Sequence, residues 1–167
     1  MTINVAGIGR KSDAAAETPP AGACSVPVSC RALLTDRRGR VLLVRPHAPE
    51  KSGRSPEWQL PGGAVAAGET LALALIRRLH EQLEVLVCPH CILHIVDHVD
   101  GTNTMRSLSI VFGASVVSGD PVRPGGRFAE GPRWFALADL PEPLAGHVAD
   151  ALASRSAMPL SACRRDA

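Results

Sequence analysis

The stretch "LPGGAVAAGETLALALIRRLHEQLEV", residues 60–85, joins a glycine-rich turn to an amphipathic segment. At about 100° per residue, its apolar side chains fall on one arc. The pattern predicts a helix over residues 70–84 with Thr70 as the N-cap residue. The core-facing positions on that arc are Ala72, Leu75, Ile76, Leu79 and Leu83. Backbone N–H groups of Gly62 and Gly63, together with the positive end of the helix dipole, can face an anion, so the stretch predicts a phosphate-binding turn.

The spacing of the polar residues is more specific than the glycine pair alone. Five residues separate Gly63 from Glu69, and seven separate Glu69 from Arg77. This pattern resembles the signature of the Nudix hydrolase family, which reads Gly, five residues, Glu, seven residues, Arg-Glu-aliphatic-x-Glu-Glu-x-Gly-aliphatic. The matching positions are Gly63, Glu69, Arg77, Leu79, Glu81 and Val85. With the similar flanks WQLPGG and PRWFALADLP, the resemblance covers about residues 26–153. It implies an α/β fold, the Nudix-type α/β/α sandwich with a mixed central β-sheet.

Three positions depart from the signature. Arg78 and Gln82 stand where the signature has Glu, and Glu84 stands at its closing Gly. In family members, the signature carboxylates hold Mg²⁺ or Mn²⁺, which bridges a pyrophosphate and activates water. Helix positions 78, 81 and 82 point the same way, yet only Glu81 keeps a negative charge there. The substitutions therefore predict a strongly reduced metal affinity.

Arg78 has two readings of equal weight. One turn before Glu81, it is expected to form an i, i+3 ion pair, which on an exposed helix contributes only a few tenths of a kcal/mol. Alternatively, its guanidinium stands where the cation would be and contacts phosphate, since guanidinium groups bind phosphate bidentately.

The resemblance implies roles for the other polar residues. The candidate catalytic residues are Glu81, Glu69 and Gln82. The candidate ligands for Mg²⁺ or Mn²⁺ are Glu81, Glu69 and Glu130, the last lying just before the final strand. The candidate substrate-binding residues are Gly62, Gly63, Arg45, Arg77 and Arg78. Arg77 is expected to brace the glycine turn, as in the family, whereas a solvated loop arginine is the alternative for Arg45. Trp58 is expected to pack under the turn rather than to stack on a base.

Apolar runs elsewhere predict the remaining elements. Strands are predicted at residues 26–35, 41–45, 58–60, 91–99, 106–117 and 132–137, and a helix beginning at a proline over residues 141–153. The DRRGR turn uses Gly39 at positive φ, and the PGG that follows residue 60 ends the short strand there. Strands and helices in this order predict a mixed sheet covered by helices.

Length and composition predict one domain and two tails. A chain of 167 residues with 46% hydrophobic content can bury one sizeable core. We predict flexible tails at residues 1–24 and 155–167 around a Nudix-like domain at residues 25–154. There is no run of 18 apolar residues and no signal-peptide pattern, which predicts a cytoplasmic protein without a membrane partner. Its five cysteines are then expected to be reduced thiols.

Two rival functions receive less support. A net charge of +2 and 3% aromatic residues argue against a nucleic-acid partner. The segment CPHCILHIVDH allows a zinc site from Cys88, His90 and Cys91 with one further histidine, although His94 and His98 are about 13 Å apart along a strand. A substrate contact from His98 or Asp97 is the favoured alternative in that segment.

The leading interpretation is a metal-dependent Nudix-type hydrolase that cleaves a diphosphate linkage in a nucleoside diphosphate derivative, with weakened activity. The alternative is a catalytically silent Nudix-fold module that binds a phosphorylated metabolite, in which Arg78 replaces the metal. Both readings predict a nucleotide-like, phosphorylated small molecule as the partner, with selectivity in loops 46–57 and 118–130. The resemblance is also compatible with a homodimer.

Overall fold

The computed structural model describes residues 26–47, 56–99, 106–122 and 128–157, without the side chains of residues 155–157. The predicted tail at residues 1–24 lies outside the described residues, as does most of the predicted tail at residues 155–167. The elements in chain order are β1 (Val28–Leu34), β2 (Val41–Pro46), β3 (Gly62–Ala64), α1 (Leu71–Leu83), β4 (Leu86–Val99), β5 (Arg106–Ser118), β6 (Phe128–Phe135) and α2 (Gly146–Ala157).

The strands form two sheets. The larger sheet has four strands in the order β3-β1-β5-β4, so β3 and β4 are its edges. In it β1 runs parallel to β5 and antiparallel to β3, while β4 runs antiparallel to β5. The smaller sheet is the antiparallel pair β2-β6. The mixed sheet was predicted from the sequence, and its division into two parts was not.

Side chains on alternate positions of the strands enter two separate cores. Ala32 and Leu42 belong to a buried cluster with the apolar face of α1. The adjacent Leu33 and Val41 belong to a second cluster, which contains Val148 of α2. Strands covered on both faces need near-continuous apolar runs, which explains the sequence of β2. A helix therefore covers each face of the strands, and the predicted α/β/α sandwich is confirmed.

Helix α1 begins and ends as its sequence predicts. Thr70 is the N-cap residue, and its Oγ1 accepts a hydrogen bond of 3.3 Å from the Leu73 N–H. Glu84 ends the helix in the left-handed conformation with φ 56°, and its N–H donates to the His80 carbonyl. The N-cap fixes where the helix begins, and two side chains further along it, Arg78 and Gln82, contact β3.

The predicted core stripe of α1 is wrong at one position. Leu75, Leu79 and Leu83 are buried, and Ile76 is partly buried against the same core. Ala72 is exposed, whereas Ala74 is fully buried. Ala72 does lie on the core-facing side of the helix when it is viewed down its axis. A residue on that side is buried only where the sheet extends far enough along the helix to cover it.

The strand predicted at residues 58–60 is also wrong, as is its end at the glycine pair. Trp58 and Gln59 form only isolated bridges, to Leu144 and Val44, and the strand β3 begins instead at Gly62. A Cβ on Gly62 would overlap the carbonyl oxygen of Cys30 in β1 and lie 2.7 Å from the Arg31 Cα. Glycine is therefore required for this close pairing, and the same residue weakens the sequence signal for a strand.

Several predicted boundaries shift by four or five residues. The turn predicted at Gly39 is present, and Gly39 has φ 77° there. The strands before and after this turn, β1 and β2, belong to different sheets. Strand β4 begins at Leu86 rather than residue 91, and β6 at Phe128 rather than residue 132. Helix α2 begins at Gly146, not at a proline, and continues to Ala157, beyond the predicted domain end at 154. No helix in the described part of the chain is both long and apolar enough to span a bilayer.

Candidate functional site

The side chain of Gln82 joins α1 to the edge strand β3. The Gly62 N–H donates to Gln82 Oε1 at 3.0 Å, and Gln82 Nε2 donates to the Gly62 carbonyl at 2.8 Å. Backbone groups on the outer edge of a strand lack a neighbouring strand. A primary amide has one acceptor and one donor side, as a peptide group has, so Gln82 pairs with both Gly62 groups as a neighbouring strand would. The Gly62 N–H therefore donates to Gln82, and the prediction that this N–H faces an anion is wrong.

A bidentate ion pair ties the loop after β3 to the middle of α1. Arg77 Nε and Nη2 donate to the two carboxylate oxygens of Glu69, each at 2.7 Å. Glu69 Oε2 also accepts from the Ala66 N–H at 3.1 Å, which closes the turn that precedes the helix. The hydrogen bonds from Arg77 are the main reason why the pKa of Glu69 falls from 4.5 to about 2. Arg77 therefore braces this loop, and its guanidinium is paired with Glu69.

Glu81 lies between two guanidinium groups. Its Oε1 accepts from Arg77 Nη1 at 3.1 Å, and its Oε2 lies 3.3 Å from Arg78 Nη1. The i, i+3 ion pair predicted between Arg78 and Glu81 is thus confirmed. The hydrogen bond from Arg77, followed by the charges of Arg77 and Arg78, lowers the pKa of Glu81. Two ionised carboxylates, counting Glu69, face two guanidinium groups, so the formal charge of the cluster is zero.

Arg78 lies against the glycine turn. Its Nε donates to the Ala64 carbonyl at 3.1 Å. A Cβ on Gly63 would lie 3.1 Å from Arg78 Nε and 3.2 Å from its Cδ, so a side chain at 63 would require Arg78 to shift by a few tenths of an ångström. The Arg78 side chain is 33% exposed. Its Nη2 has no hydrogen-bond partner among the described residues, so this nitrogen can still donate to a bound anion.

Glu130 and Arg45 pair with each other in the β2-β6 sheet. Arg45 forms an ion pair with Glu130 and donates from Nε to the Pro56 carbonyl at 3.0 Å. Arg133 is a second partner of Glu130 at 3.8 Å. The guanidinium of Arg45 also lies 5.9 Å from the ring centroid of Trp58, which is buried and packs edge-on against Phe135 as expected of a packing residue.

The donor groups do not fit a resident metal ion of the kind that the family signature implies. In the four described segments, no three His, Cys, Asp or Glu residues are grouped so that they could hold an ion. Glu69 and Glu81 are engaged by arginines, and Glu130 pairs with Arg45. Their assignment as the ligands of one Mg²⁺ or Mn²⁺ ion stays a prediction, and a cation would have to displace these guanidinium groups.

The zinc alternative in β4 meets the same obstacle. His90 contacts Ser115 at 3.0 Å and His94 contacts Ser154 at 3.0 Å, so the two rings pair with hydroxyl groups. Cys88 is a free thiol, whereas Cys91 is disulfide-bonded. The expectation of reduced thiols is therefore wrong for Cys91, and a sulfur in a disulfide is not the thiolate ligand that zinc requires.

A polar cavity of about 450 Å³ lies between the large sheet and the beginning of α2. Its lining residues are Ser29, Arg31, Glu57, Gln59, Val96, His98, Ser107, Ser109, Ala145, Gly146, His147 and Asp150. His98 had been predicted as a substrate contact and does line this cavity, whereas Asp97 instead pairs with Arg106. The other lining residues were not predicted, and the available signal was Arg31, a charged residue inside an apolar strand.

Two buried nitrogens in this cavity lack partners. They are Arg31 Nε and His147 Nε2, and they are the two buried side-chain N or O atoms without a hydrogen bond in the described part of the protein. Burial, followed by the charges of Arg31 and His98, lowers the pKa of His147 from 6.5 to about 3. His147 is therefore neutral at physiological pH. Unpaired buried polar atoms are costly, so a ligand that pairs with them would bind favourably.

The cavity is adjacent to the glycine turn. Arg31 is the register partner of Gly62 in the β1-β3 pair, and its Nη1 donates to the Leu60 carbonyl at 3.0 Å. Gln59, which precedes the turn by three residues, also lines the cavity. Arg31 and Gln59 therefore link the cavity lining to the segment that leads into the glycine pair.

The chain is similar to known proteins in both sequence and structure. A family model described as the NUDIX domain matches residues 26–154. A MutT NUDIX hydrolase from Burkholderia pseudomallei is 35% identical, and the match covers 78% of this chain and 98% of that chain with a TM-score of 0.66. A NUDIX hydrolase from Nitrosomonas europaea shares the fold at 21% identity, covering 85% of this chain and 98% of that chain with a TM-score of 0.65.

A curated Mycobacterium tuberculosis H37Rv protein is similar over a shorter region. It is named "Putative 8-oxo-dGTP diphosphatase 2" and is 42% identical over 81 residues, which are 44% of this chain and 53% of the relative. The match therefore spans about half the length of that relative.

Proposed function

Because the chain belongs to the Nudix hydrolase family, we propose that it hydrolyses a diphosphate linkage in a nucleoside diphosphate derivative, with activity weakened by Arg78 and Gln82. Two neighbouring features of the structure support the proposal. A guanidinium lies against the glycine turn, and a polar cavity with unpaired buried nitrogens is adjacent to the same turn. A phosphate group and the organic group attached to it have separate places to bind.

The diphosphate is assigned to the turn between β3 and α1. Arg78 contributes a guanidinium whose Nη2 has no hydrogen-bond partner among the described residues. The attached nucleoside is assigned to the cavity, whose volume is within the range of about 300–1,000 Å³ that small-molecule pockets occupy. Arg31 Nε donates to an acceptor on the ligand, and the neutral His147 contributes one ring nitrogen.

Glu81 is the residue that we assign to the attacking water. As the water oxygen bonds to phosphorus, the bridging P–O bond breaks and the water loses a proton. Glu81 is the remaining carboxylate among the signature positions 78, 81 and 82 on α1. Its lowered pKa makes it a weak proton acceptor at neutral pH, which is a physical reason for slow turnover. Glu69 instead braces the loop through Arg77 and Ala66.

In this proposal, the metal ion that the reaction requires arrives bound to the substrate. The described carboxylates do not fit a resident ion. Mg²⁺ is commonly held by one or two carboxylates together with phosphate oxygens of the substrate. A nucleotide that carries Mg²⁺ or Mn²⁺ on its own phosphates is therefore the form that we expect to react.

A catalytically silent binding module is the second candidate. The pairing of Glu69 and Glu81 with arginines favours it, since carboxylates engaged by guanidinium groups attract a divalent cation less strongly than unpaired carboxylates do. In this case the same turn and cavity bind a phosphorylated metabolite, and the ligand is released unchanged.

A hydrolysis screen that detects the nucleoside monophosphate products distinguishes the two candidates. The panel contains nucleoside diphosphate derivatives such as sugar nucleotides and coenzymes, with 8-oxo-dGTP because of the relative's name, each with Mg²⁺ and with Mn²⁺. Wild type is compared with Glu81→Gln, and Asp139→Asn, an exposed turn residue, is the matched control. Slow metal-dependent turnover that Glu81→Gln abolishes supports the hydrolase. No turnover over the whole panel, with ligand binding retained, supports the silent module.

A further inference from the structure

The contacts of Gln82 are incompatible with a cation at Gly62. The Gly62 carbonyl oxygen accepts from Gln82 Nε2 at 2.8 Å, so an N–H donor occupies this oxygen and would repel a cation placed there. The other amide atom of Gln82 is occupied by the Gly62 N–H at 3.0 Å. A glutamate at this position could keep only the second bond, because a carboxylate has no donor for a carbonyl oxygen.

Arg78 is held in place from two sides. Nε donates to the Ala64 carbonyl, and Nη1 lies 3.3 Å from Glu81 Oε2. A guanidinium is planar and rigid, so these two contacts also fix the direction of Nη2. Gly63 leaves room for this arrangement, since a Cβ there would crowd Nε and Cδ of Arg78. The guanidinium is thus oriented before any ligand arrives, which lowers the entropy cost of binding.

We propose that Arg78 and Gln82 convert the glycine turn into an anion receptor that binds a diphosphate without any divalent cation. The inference rests on the proposed function because it concerns the same site. Gln82 keeps β3 and α1 together through direct hydrogen bonds, and Arg78 supplies the positive charge that contacts the phosphate oxygens. The affinity for the diphosphate then resides in the chain itself.

Calorimetric titration with inorganic pyrophosphate tests the proposal. Wild type is titrated in EDTA and again in excess Mg²⁺ at equal ionic strength. Arg78→Gln is measured beside Arg38→Gln, which removes the same charge from the exposed turn between β1 and β2. We expect wild type to bind in EDTA at least as tightly as in Mg²⁺. A lost charge-assisted hydrogen bond should raise the Kd of Arg78→Gln by about 10- to 100-fold, and Arg38→Gln should change it by less than about threefold, as for a remote surface charge.

The reverse substitution gives an independent readout. In the Arg78→Glu, Gln82→Glu double variant, the Gly62 carbonyl loses its donor and faces carboxylates, so pyrophosphate should bind only when Mg²⁺ is present. Circular dichroism checks that each variant is folded, and Gln82→Glu alone replaces the double variant if the latter does not fold. Wild-type binding that requires Mg²⁺, binding that is too weak to detect in both buffers, or equal affinities for Arg78→Gln and wild type would each overturn the proposal.

The binding and hydrolysis measurements together distinguish failure of this inference from failure of the hydrolase proposal. A wild-type protein that binds pyrophosphate in EDTA but hydrolyses none of the panel supports the receptor and contradicts the hydrolase. A protein that binds pyrophosphate only with Mg²⁺ and hydrolyses a nucleotide contradicts the receptor and supports the hydrolase.

Discussion

Replacement of Gln82 by methionine should loosen the junction between the glycine turn and α1. Methionine keeps the length of the side chain but has no strong donor or acceptor for Gly62, so both hydrogen bonds are lost. At about 0.5–1.5 kcal/mol for each bond, the free energy of unfolding should fall by about 1–3 kcal/mol. For a protein of this size, the Tm should then fall by about 2–4 °C for each kcal/mol.

Urea denaturation followed by circular dichroism measures this loss, and amide hydrogen exchange at Gly62 locates it. The control is His80→Gln, an exposed position on the same helix, for which we expect a change within about 0.5 kcal/mol. The m-value should be unchanged, because the substitution alters the folded contact and not the surface exposed on unfolding. An unfolding free energy for Gln82→Met equal to that of wild type, with unchanged exchange at Gly62, would refute the assigned role of Gln82.

The remaining predictions concern the strand pairing, the cavity and pH. Gly62→Ala places a Cβ against the backbone of β1, so it should lower the unfolding free energy by about 1–3 kcal/mol or more, measured by urea denaturation; an unchanged midpoint would contradict the close pairing. Arg31→Gln should weaken binding of a nucleoside diphosphate more than binding of pyrophosphate, measured by calorimetry, because Arg31 lines the cavity and not the turn; equal effects on both ligands would contradict that assignment. His147 stays neutral in the folded protein down to about pH 3, while the unfolded chain takes up this proton near pH 6.5. The unfolding free energy should therefore decrease as pH falls from about 6.5 towards 3, and the decrease should be smaller in His147→Gln; an identical pH dependence in that variant would contradict the buried neutral state.

The helix and the sandwich could be predicted because their signals are local and periodic. Thr70 and the apolar spacing that includes Leu75 and Leu79 define α1, and apolar runs such as β2 define strands that are buried on both faces. The order of the elements then limits the fold to a few arrangements. The Arg78–Glu81 pair was predictable for the same reason, since i, i+3 spacing on a helix fixes the distance.

The contacts that decide the chemistry of the site join residues far apart in the sequence, so local and periodic patterns could not predict them. Gln82 bonds to a residue 20 positions earlier, and its amide acts as a neighbouring strand only because β3 is an edge. Gly62 reads as a turn residue, yet it belongs to a strand that requires a residue without a Cβ. The cavity draws residues from five parts of the chain, and only Arg31 stands out in its own segment as a charge among apolar residues.

We propose that hydrolysis is weakened by the two missing carboxylates at positions 78 and 82, on a scaffold that still binds its substrate. The kcat of the Arg78→Glu, Gln82→Glu double variant with Mg²⁺, compared with the kcat of wild type on the same substrate, tests it most directly. We expect an increase of at least about tenfold, because three neighbouring carboxylates meet the ligand requirement of a divalent ion, which the described carboxylates of wild type do not meet. A folded double variant whose kcat equals or falls below that of wild type would contradict it.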